Sequence, residues 1–510
     1  MCKKIYSSRS LYISLVAFGV GFLFLLILRM NTLSPGTANC IDCFYHAAVA
    51  REGPVVFTAK TFPAASASLW AVRFSDKELL FHWLLYAGGK GFSFLGVDSF
   101  KPPFHALSLL VVGLSLAAFV FAAGWFRIKQ MYFAVASLLV LFPVFTHRLL
   151  MLRPHVMSIG LLLLAAVACD HALRKNRYLP LLLLGICYAW GYSNPHFILI
   201  PAVAFGIGWW KRKRWRVVFP ALVGVAGVII GFTIHPQFPN TFIIWKVQCI
   251  DVVLNRLAGV GYIGTPSELR APPLYTVLQN IVLPLMMIFN IVVISVILKK
   301  RGLRRMPPSL TGLSIIALIF TGGWFLSVRC IEYAVPFAVL TFFATFRHIK
   351  ALCLWRHWVN GRKLRLFTVE VAVFFIIMAL AAGKIYINSA QEYRPATGFA
   401  AWLEERQEPK DQVIGNLLWS DFPFLYYAAP KYFYLSALDP MFTYAANPGP
   451  LSRLEALLQQ KKLPSAQKLN RITGARIFFV SWRYPRLQEK MAQSGYKVVY
   501  EGRDGKAYSI

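Results

Sequence analysis

The residue best placed for acid–base work is an aspartate about a dozen positions beyond a long apolar run, in Asn39-Cys40-Ile41-Asp42-Cys43-Phe44-Tyr45-His46. In a helix, Asp42 and His46 are four apart and share a face. A carboxylate partly withdrawn from water makes a general base, because burial raises its pKa toward neutrality. The plainer alternative is an aspartate that caps a short helix. Cys40 and Cys43 flank it at a spacing open to a disulfide in an oxidising compartment. A lone CxxC without a second ligand pair is weak support for zinc.

Other polar residues stand at the ends of apolar runs. Arg153, in Leu152-Arg153-Pro154-His155, lies in an otherwise apolar stretch. A charge there costs about 2.5–3.5 kcal/mol on the insertion scale, which marks it as a functional candidate. Arg148 is expected to snorkel to the headgroups. Asn194-Pro195-His196 and His235-Pro236 each place a histidine at a turn, either a phosphate donor or a structured corner. The 235–273 loop carries Asp251, Arg256, Glu268 and Arg270. Arg329 and Glu332 are three apart, so they form either a local ion pair or a fork for a lipid-borne phosphate beside its own acid. There is no P-loop, GxGxxG, HExxH or GxSxG. Aspartate pairs of the DxD kind, which bind nucleotide-sugars through a metal, are absent too.

The elements that carry these residues are membrane spans. Of 510 residues 57% are hydrophobic and only 15% charged, and one soluble core stops growing near 250–300 residues. Apolar runs near 11–29, 104–126, 131–146, 149–169, 178–193, 197–210, 217–234, 274–298, 310–328, 332–346 and 366–383 give about eleven spans. The first run has no small-residue cleavage site and is expected to stay as a signal anchor. The net charge of +33 is concentrated in short loops such as 211–216, 299–305 and 347–365. That is the positive-inside pattern, and it removes the need for a nucleic-acid partner. It places the N-terminus in the cytoplasm and everything after Lys384 outside. The organisation is a transmembrane domain over 1–383 with a long first outer loop at about 31–103, then a small extracytoplasmic α/β domain over 384–510. In the loop, 79–86 reads as a helix lying along the interface, ended by Gly88, Gly89 and Gly91. In the tail, 413–418, 432–435 and 475–481 read as strands, 451–460 and 486–494 as helices, and 496–510 as a hairpin closed by an Asp-Gly turn. Asn447-Pro448-Gly449-Pro450 reads as a turn.

The acidic residue soon after the first span, the long first loop with its interfacial helix and the outer C-terminal domain together resemble the GT-C superfamily of polytopic glycosyltransferases. That group includes protein O-mannosyltransferases, oligosaccharyltransferases and aminoarabinose transferases. Leu418-Trp419-Ser420-Asp421-Phe422-Pro423 and Leu438-Asp439-Pro440-Met441-Phe442 resemble stretches of its prokaryotic members. The resemblance implies an enzyme of a prokaryotic plasma (inner) membrane that transfers a sugar, with inversion, from a polyprenyl-phosphate carrier to a lipid, glycan or protein acceptor. It implies Asp42 as the base and Arg329, helped by Arg153 or His196, on the departing phosphate. Glu268 matches a second acidic position loosely, and Trp419 and Asp421 are expected to hold a sugar, against the alternative of a buried Trp and a turn aspartate. Many members carry two adjacent acids where Asp42 is followed by Cys43, so no metal is expected to be required. The rival readings are a transporter or flippase of lipid-linked sugars, with paired broken helices about a midplane site, and a non-catalytic envelope-assembly protein.

Overall fold

The computed structural model describes residues 8–34, 36–257, 267–301, 306–351, 393–446 and 463–509, with isolated positions between 376 and 384 and at 449, 454 and 458. The expected span at 366–383, the turn at 447–450 and the helix at 451–460 fall largely or wholly outside them. The chain forms two compact units. One gathers residues 1–32, 108–231 and 265–390, and the other 33–107, 232–264 and 391–510.

The first unit is helical and apolar, a multi-pass membrane architecture. Six helices among the described residues are long and apolar enough to cross a bilayer, or seven if one bent pair counts as a single span. Two shorter apolar helices, Leu179–Gly191 and Pro308–Trp324, join them. The runs expected at 131–146 and 149–169 fold differently from a simple pair of spans. Met131–Val140 stops, the chain bends by 89°, and Pro143–Leu149 continues before Pro154–Lys175 begins. Pro143 and Pro154 each open a helix, since proline fixes φ and needs no donor at the first helical position. This break brings Arg148 and Arg153 to one end of the long helix. Elsewhere close packing uses small residues. A Cβ on Gly227 would lie 2.4 Å from the Leu182 carbonyl oxygen and 3.0 Å from Gly185 Cα, so the backbones of Leu179–Gly191 and Phe219–Thr233 meet where lipid gives no hydrophobic driving force.

The second unit contains a five-stranded sheet in the order β2-β1-β3-β5-β4. Its strands are β1 Val413–Asn416, β2 Phe433–Tyr434, β3 Ile477–Ser481, β4 Lys497–Gly502 and β5 Gly505–Ser509. β1 runs parallel to β2 and β3, and β3 runs antiparallel to β5. β3 is buried along its whole length, as a central strand with an unbroken apolar sequence must be. The expected hairpin forms, but it turns at Arg503-Asp504 rather than at Asp-Gly, with Gly505 already in β5; Asp504 is fixed by the Tyr500 hydroxyl and by the Phe399 backbone N–H at 2.9 Å.

The first long loop belongs to this same unit, a union the sequence does not display. Ala65 pairs with Tyr434 beyond the β2 edge, Ser66 N donates to Tyr434 O at 2.8 Å, and Ala67 N to Leu435 O at 3.0 Å. Helix Asp42–Glu52 packs Phe44 against Phe104, Phe424 and Tyr427, and Arg51 donates to the Tyr427 carbonyl at 2.8 Å. Gly53 ends that helix with φ of 63°, a left-handed conformation that favours glycine, and Pro54 starts the next turn. The helix expected at 79–86 spans Leu79–Phe94. Gly89 is accommodated because Phe100 fills the place of its missing side chain, 2.3 Å from an added Cβ.

Candidate functional site

In the first unit, five charged side chains from separate segments converge. Arg148 ends Pro143–Leu149, Arg153 caps Pro154–Lys175, and Glu268 lies in the short turn Ser267–Leu269. Arg329 lies in the short turn Val328–Cys330 and Glu332 in the first turn of the helix Ile331–Ala351 that follows. Arg148 donates from Nε to Glu332 Oε1 at 2.7 Å, pairs with the same oxygen through Nη2, and reaches Glu268 Oε2 at 3.0 Å. Arg153 grips both oxygens of Glu268, at 3.0 and 3.3 Å. Arg329 approaches Glu268 at 3.6 Å, beyond good hydrogen-bond distance, and its side chain keeps 28% of its surface open. Three guanidinium groups thus meet two carboxylates, with Arg329 held at the longest distance. Arg329 Nε and Glu332 Oε2 have no hydrogen-bond partner. Burial alone would push the Glu268 carboxyl up, but Arg153, Arg329 and Arg148 outweigh it and hold it well below the usual carboxylate range.

The segments are clamped as well as paired. Ser327 Oγ donates to the Glu268 carbonyl at 3.2 Å, and Val328 N to the Arg270 carbonyl at 2.9 Å. Arg29, which ends the first span fully buried, donates to the Leu150 carbonyl at 3.0 Å, and Ser108 donates to it at 2.6 Å. Two expectations are corrected here. Arg148 does not snorkel; it is buried at 6% exposure. Arg329 and Glu332 do not form the local pair their spacing suggests, because Glu268 and Arg148 are the partners each reaches. His196, in the turn Pro195–Ile198, stands edge-on to Phe197, which packs on Tyr333 beside Glu332.

In the second unit, Asp42 opens the helix Asp42–Glu52 half-buried, and the Cys40–Cys43 disulfide, with Cα atoms 5.5 Å apart, brackets it. His46, one turn on, faces inward at 3% exposure: its Nδ1 lies 2.8 Å from His82 Nε2. His82 Nδ1 in turn lies 2.7 Å from Asp76 Oδ2. His235 is nearly buried, and burial pushes its imidazole down to about 4. Trp419 is half-buried. Asp421 is fully buried, and its oxygens accept from Ser481 Oγ at 2.7 Å and Ser481 N at 3.2 Å. Burial pushes its carboxyl up to about 6 despite these bonds. Its carboxylate therefore serves the interior of the sheet domain rather than an open surface.

No protein-family model and no curated protein sequence matches the chain. Solved structures do. The oligosaccharyltransferase of Archaeoglobus fulgidus in the apo form aligns with a TM-score of 0.63 at 12% identity, over 98% of this chain and 74% of that one. The same archaeal enzyme, AglB, in complex with an inhibitory peptide and a dolichol-phosphate aligns at 0.56 and 13% identity, over 99% and 75%. ArnT from Cupriavidus metallidurans aligns at 0.53 and 15% identity, over 99% and 98%. The chain has the GT-C fold. Both proteins are glycosyltransferases of that type, and the likeness spans the helical unit and the sheet domain alike.

Sequence reasoning missed Arg148, Asp76 and His82 as members of these clusters. Arg148 carries the same signal as Arg153, a charge in an apolar stretch. Asp76 and His82 lie in Ser75-Asp76-Lys77-Glu78 and the helix after it, where four polar residues in the first loop could have been read as buried. Among the described residues, no group of three or more His, Cys, Asp or Glu is arranged to hold a metal. The two glutamates of the helical unit are encircled by guanidinium groups, a setting that repels a divalent cation.

Proposed function

We propose that this protein is an integral membrane glycosyltransferase that moves a sugar from a polyprenyl-phosphate carrier to an acceptor, with inversion, on the extracytoplasmic face of the plasma (inner) membrane. The observation that carries this reading is the loosely held arginine of the five-residue cluster, Arg329. Arg329 is the partly open member, and its planar fork is matched only by a distant carboxylate. A lipid phosphate is the anion such a fork takes bidentately. AglB, of the same fold, was solved with a dolichol-phosphate bound.

The reaction follows from the charges. The acceptor oxygen or nitrogen bonds to the anomeric carbon as the carbon–oxygen bond to phosphate breaks, and Asp42 takes the acceptor's proton. Polyprenyl phosphate leaves with the electron pair. Arg329 and Arg153 meet the charge that grows on it, helped by His196 as a further donor. Glu268 holds the three arginines at a fixed spacing, so they need no reorganisation as charge develops. The second unit would serve the acceptor, with Trp419 as a stacking surface and His46 supporting Asp42. In this reading the N-terminus is cytoplasmic, residues 1–383 form the transmembrane domain with its outer loop, and 384–510 form the extracytoplasmic domain. The acceptor is a lipid, glycan or protein. No metal is needed, because the donor already carries a good leaving group.

The test incubates full-length protein in lipid nanodiscs with polyprenyl-phosphate sugars and follows release of the lipid phosphate. Asp42→Asn should slow it by about 10²–10⁴-fold. A comparable rate in that variant removes Asp42 as the base. Retention of the donor's anomeric configuration in the product removes the inverting mechanism.

A further inference from the structure

On the helix that carries Asp42, His46 ends a chain of three buried titratable side chains, two of which have no part in the reaction above. Asp76, His82 and His46 are 2%, 0% and 3% exposed. They are joined end to end, Asp76 Oδ2 to His82 Nδ1 at 2.7 Å and His82 Nε2 to His46 Nδ1 at 2.8 Å. A carboxylate oriented on an imidazole fixes which ring nitrogen carries the proton. Here the orientation passes through two rings. Asp76 accepts from His82 Nδ1–H, so neutral His82 has a bare Nε2. That nitrogen accepts from His46 Nδ1–H, which puts the proton of a neutral His46 ring on Nδ1.

Asp76 is itself held rigidly. Its backbone N–H donates to Gln237 Oε1 at 2.5 Å, and Gln237 Nε2 donates to the carbonyls of Val56 and Ala59 at 2.9 and 2.7 Å. Its second oxygen, Oδ1, accepts from the Glu78 backbone N–H at 3.1 Å. The neighbouring ionisable groups are Glu78 and Tyr45, whose phenol burial and both carboxylates push up, and His235 on the Asp76 side.

We propose that Asp76 and His82 are positioning residues that lock His46 in the Nδ1-protonated tautomer and thereby fix the helix bearing Asp42, one turn away. This rests on the reading of Asp42 as the base. Asp76→Asn is the decisive variant, because the backbone bond from Glu78 dictates how the new amide sits. Its oxygen stays on Glu78 N–H, and its NH₂ must point at His82 Nδ1. Every proton in the chain then reverses: His82 becomes Nε2–H, and His46 Nδ1 turns from donor to acceptor. Shape and packing are kept while the direction is inverted.

The experiment uses full-length protein in nanodiscs with ¹⁵N-labelled histidine. The sequence has ten histidines, and loss of a signal in His46→Gln assigns the one of interest. The wild type should show His46 protonated at Nδ1, and Asp76→Asn should move that proton to Nε2. In the release assay Asp76→Asn should lower kcat by about ten- to a hundredfold at unchanged KM and unchanged melting temperature. The same His46 tautomer in both proteins overturns the relay. A switched tautomer with an undiminished kcat overturns its positioning role. An undiminished rate in Asp42→Asn sinks the base assignment alone, and the tautomer measurement still decides the relay.

Discussion

The long helix Pro154–Lys175 carries a buried charge cluster at each end, and the two are built on opposite principles. Near its C-terminal end Asp170 is fully buried and saturated. It accepts from Trp125 Nε1 at 2.9 Å, Trp209 Nε1 at 3.2 Å and Ser309 Oγ at 2.8 Å, and pairs with Arg174 Nε at 2.6 Å. Donors from three other helices meet one carboxylate, with one cation to balance it. At the other end, about 25 Å away at 1.5 Å per residue, three arginines meet two glutamates and polar atoms remain unmatched. A saturated cluster has nothing left to give a ligand and fastens helices together. An unsaturated one, kept charged inside a membrane protein at the cost burial imposes, is poised for an anion that completes it.

The comparison is broken most severely at the saturated end. Asp170→Ala leaves the Trp125 and Trp209 indole N–H groups without their acceptor, and should lower stability by about 1–3 kcal/mol for each. It should leave the turnover of the remaining folded molecules near wild type, read as melting temperature against rate per active protein. At the unsaturated end the signs exchange. Arg329→Ala should leave the melting temperature nearly unchanged while slowing release of the lipid phosphate by about 10²–10³-fold. Arg329→Lys should recover only part of the rate, since an ammonium lacks the fork. Glu332→Gln keeps the shape but frees Arg148 from a full charge, for an expected loss of about 1–3 kcal/mol in thermal or denaturant unfolding. The smallest effect is a pH difference. The folded-state pKa of Glu268 is depressed, so its stabilisation is fully present above its ordinary value of about 4.5 and is lost as pH falls through the lower folded value. The melting-temperature gap between wild type and Glu268→Gln should be constant from pH 7 to about 5 and close below that. A gap that widens on acidification contradicts the assignment.

The membrane architecture was legible because apolar runs and basic loops are local signals, each read without knowing the fold. The tail strands and the closing hairpin were legible for the same reason, although the turn itself falls one residue earlier than Asp-Gly. Of the site, Arg153, Glu268 and Arg329 were visible as charges out of place. Their partners were not, because pairing across about 60 to 180 residues depends on tertiary geometry. Arg329 and Glu332 show the limit: spacing predicts a local pair, whereas Arg148 and Glu268 arrive from elsewhere and take them apart. The Asp76–His82–His46 chain was hidden for a further reason. Its members look like ordinary loop polars, and the side chain that fixes Asp76, Gln237, stands 161 residues away in sequence.

The bridge between Cys40 and Cys43 closes a small ring around Ile41 and Asp42. Such a bond survives only where thiols are not kept reduced, so this stretch of chain records the compartment it matured in. Protein isolated without reductant should yield a peptide over this stretch lighter by two hydrogens than its reduced form. A topology with the loop turned to the cytoplasm would leave both thiols free. The ring beside the proposed base is thus also a chemical signature of which side of the membrane it occupies.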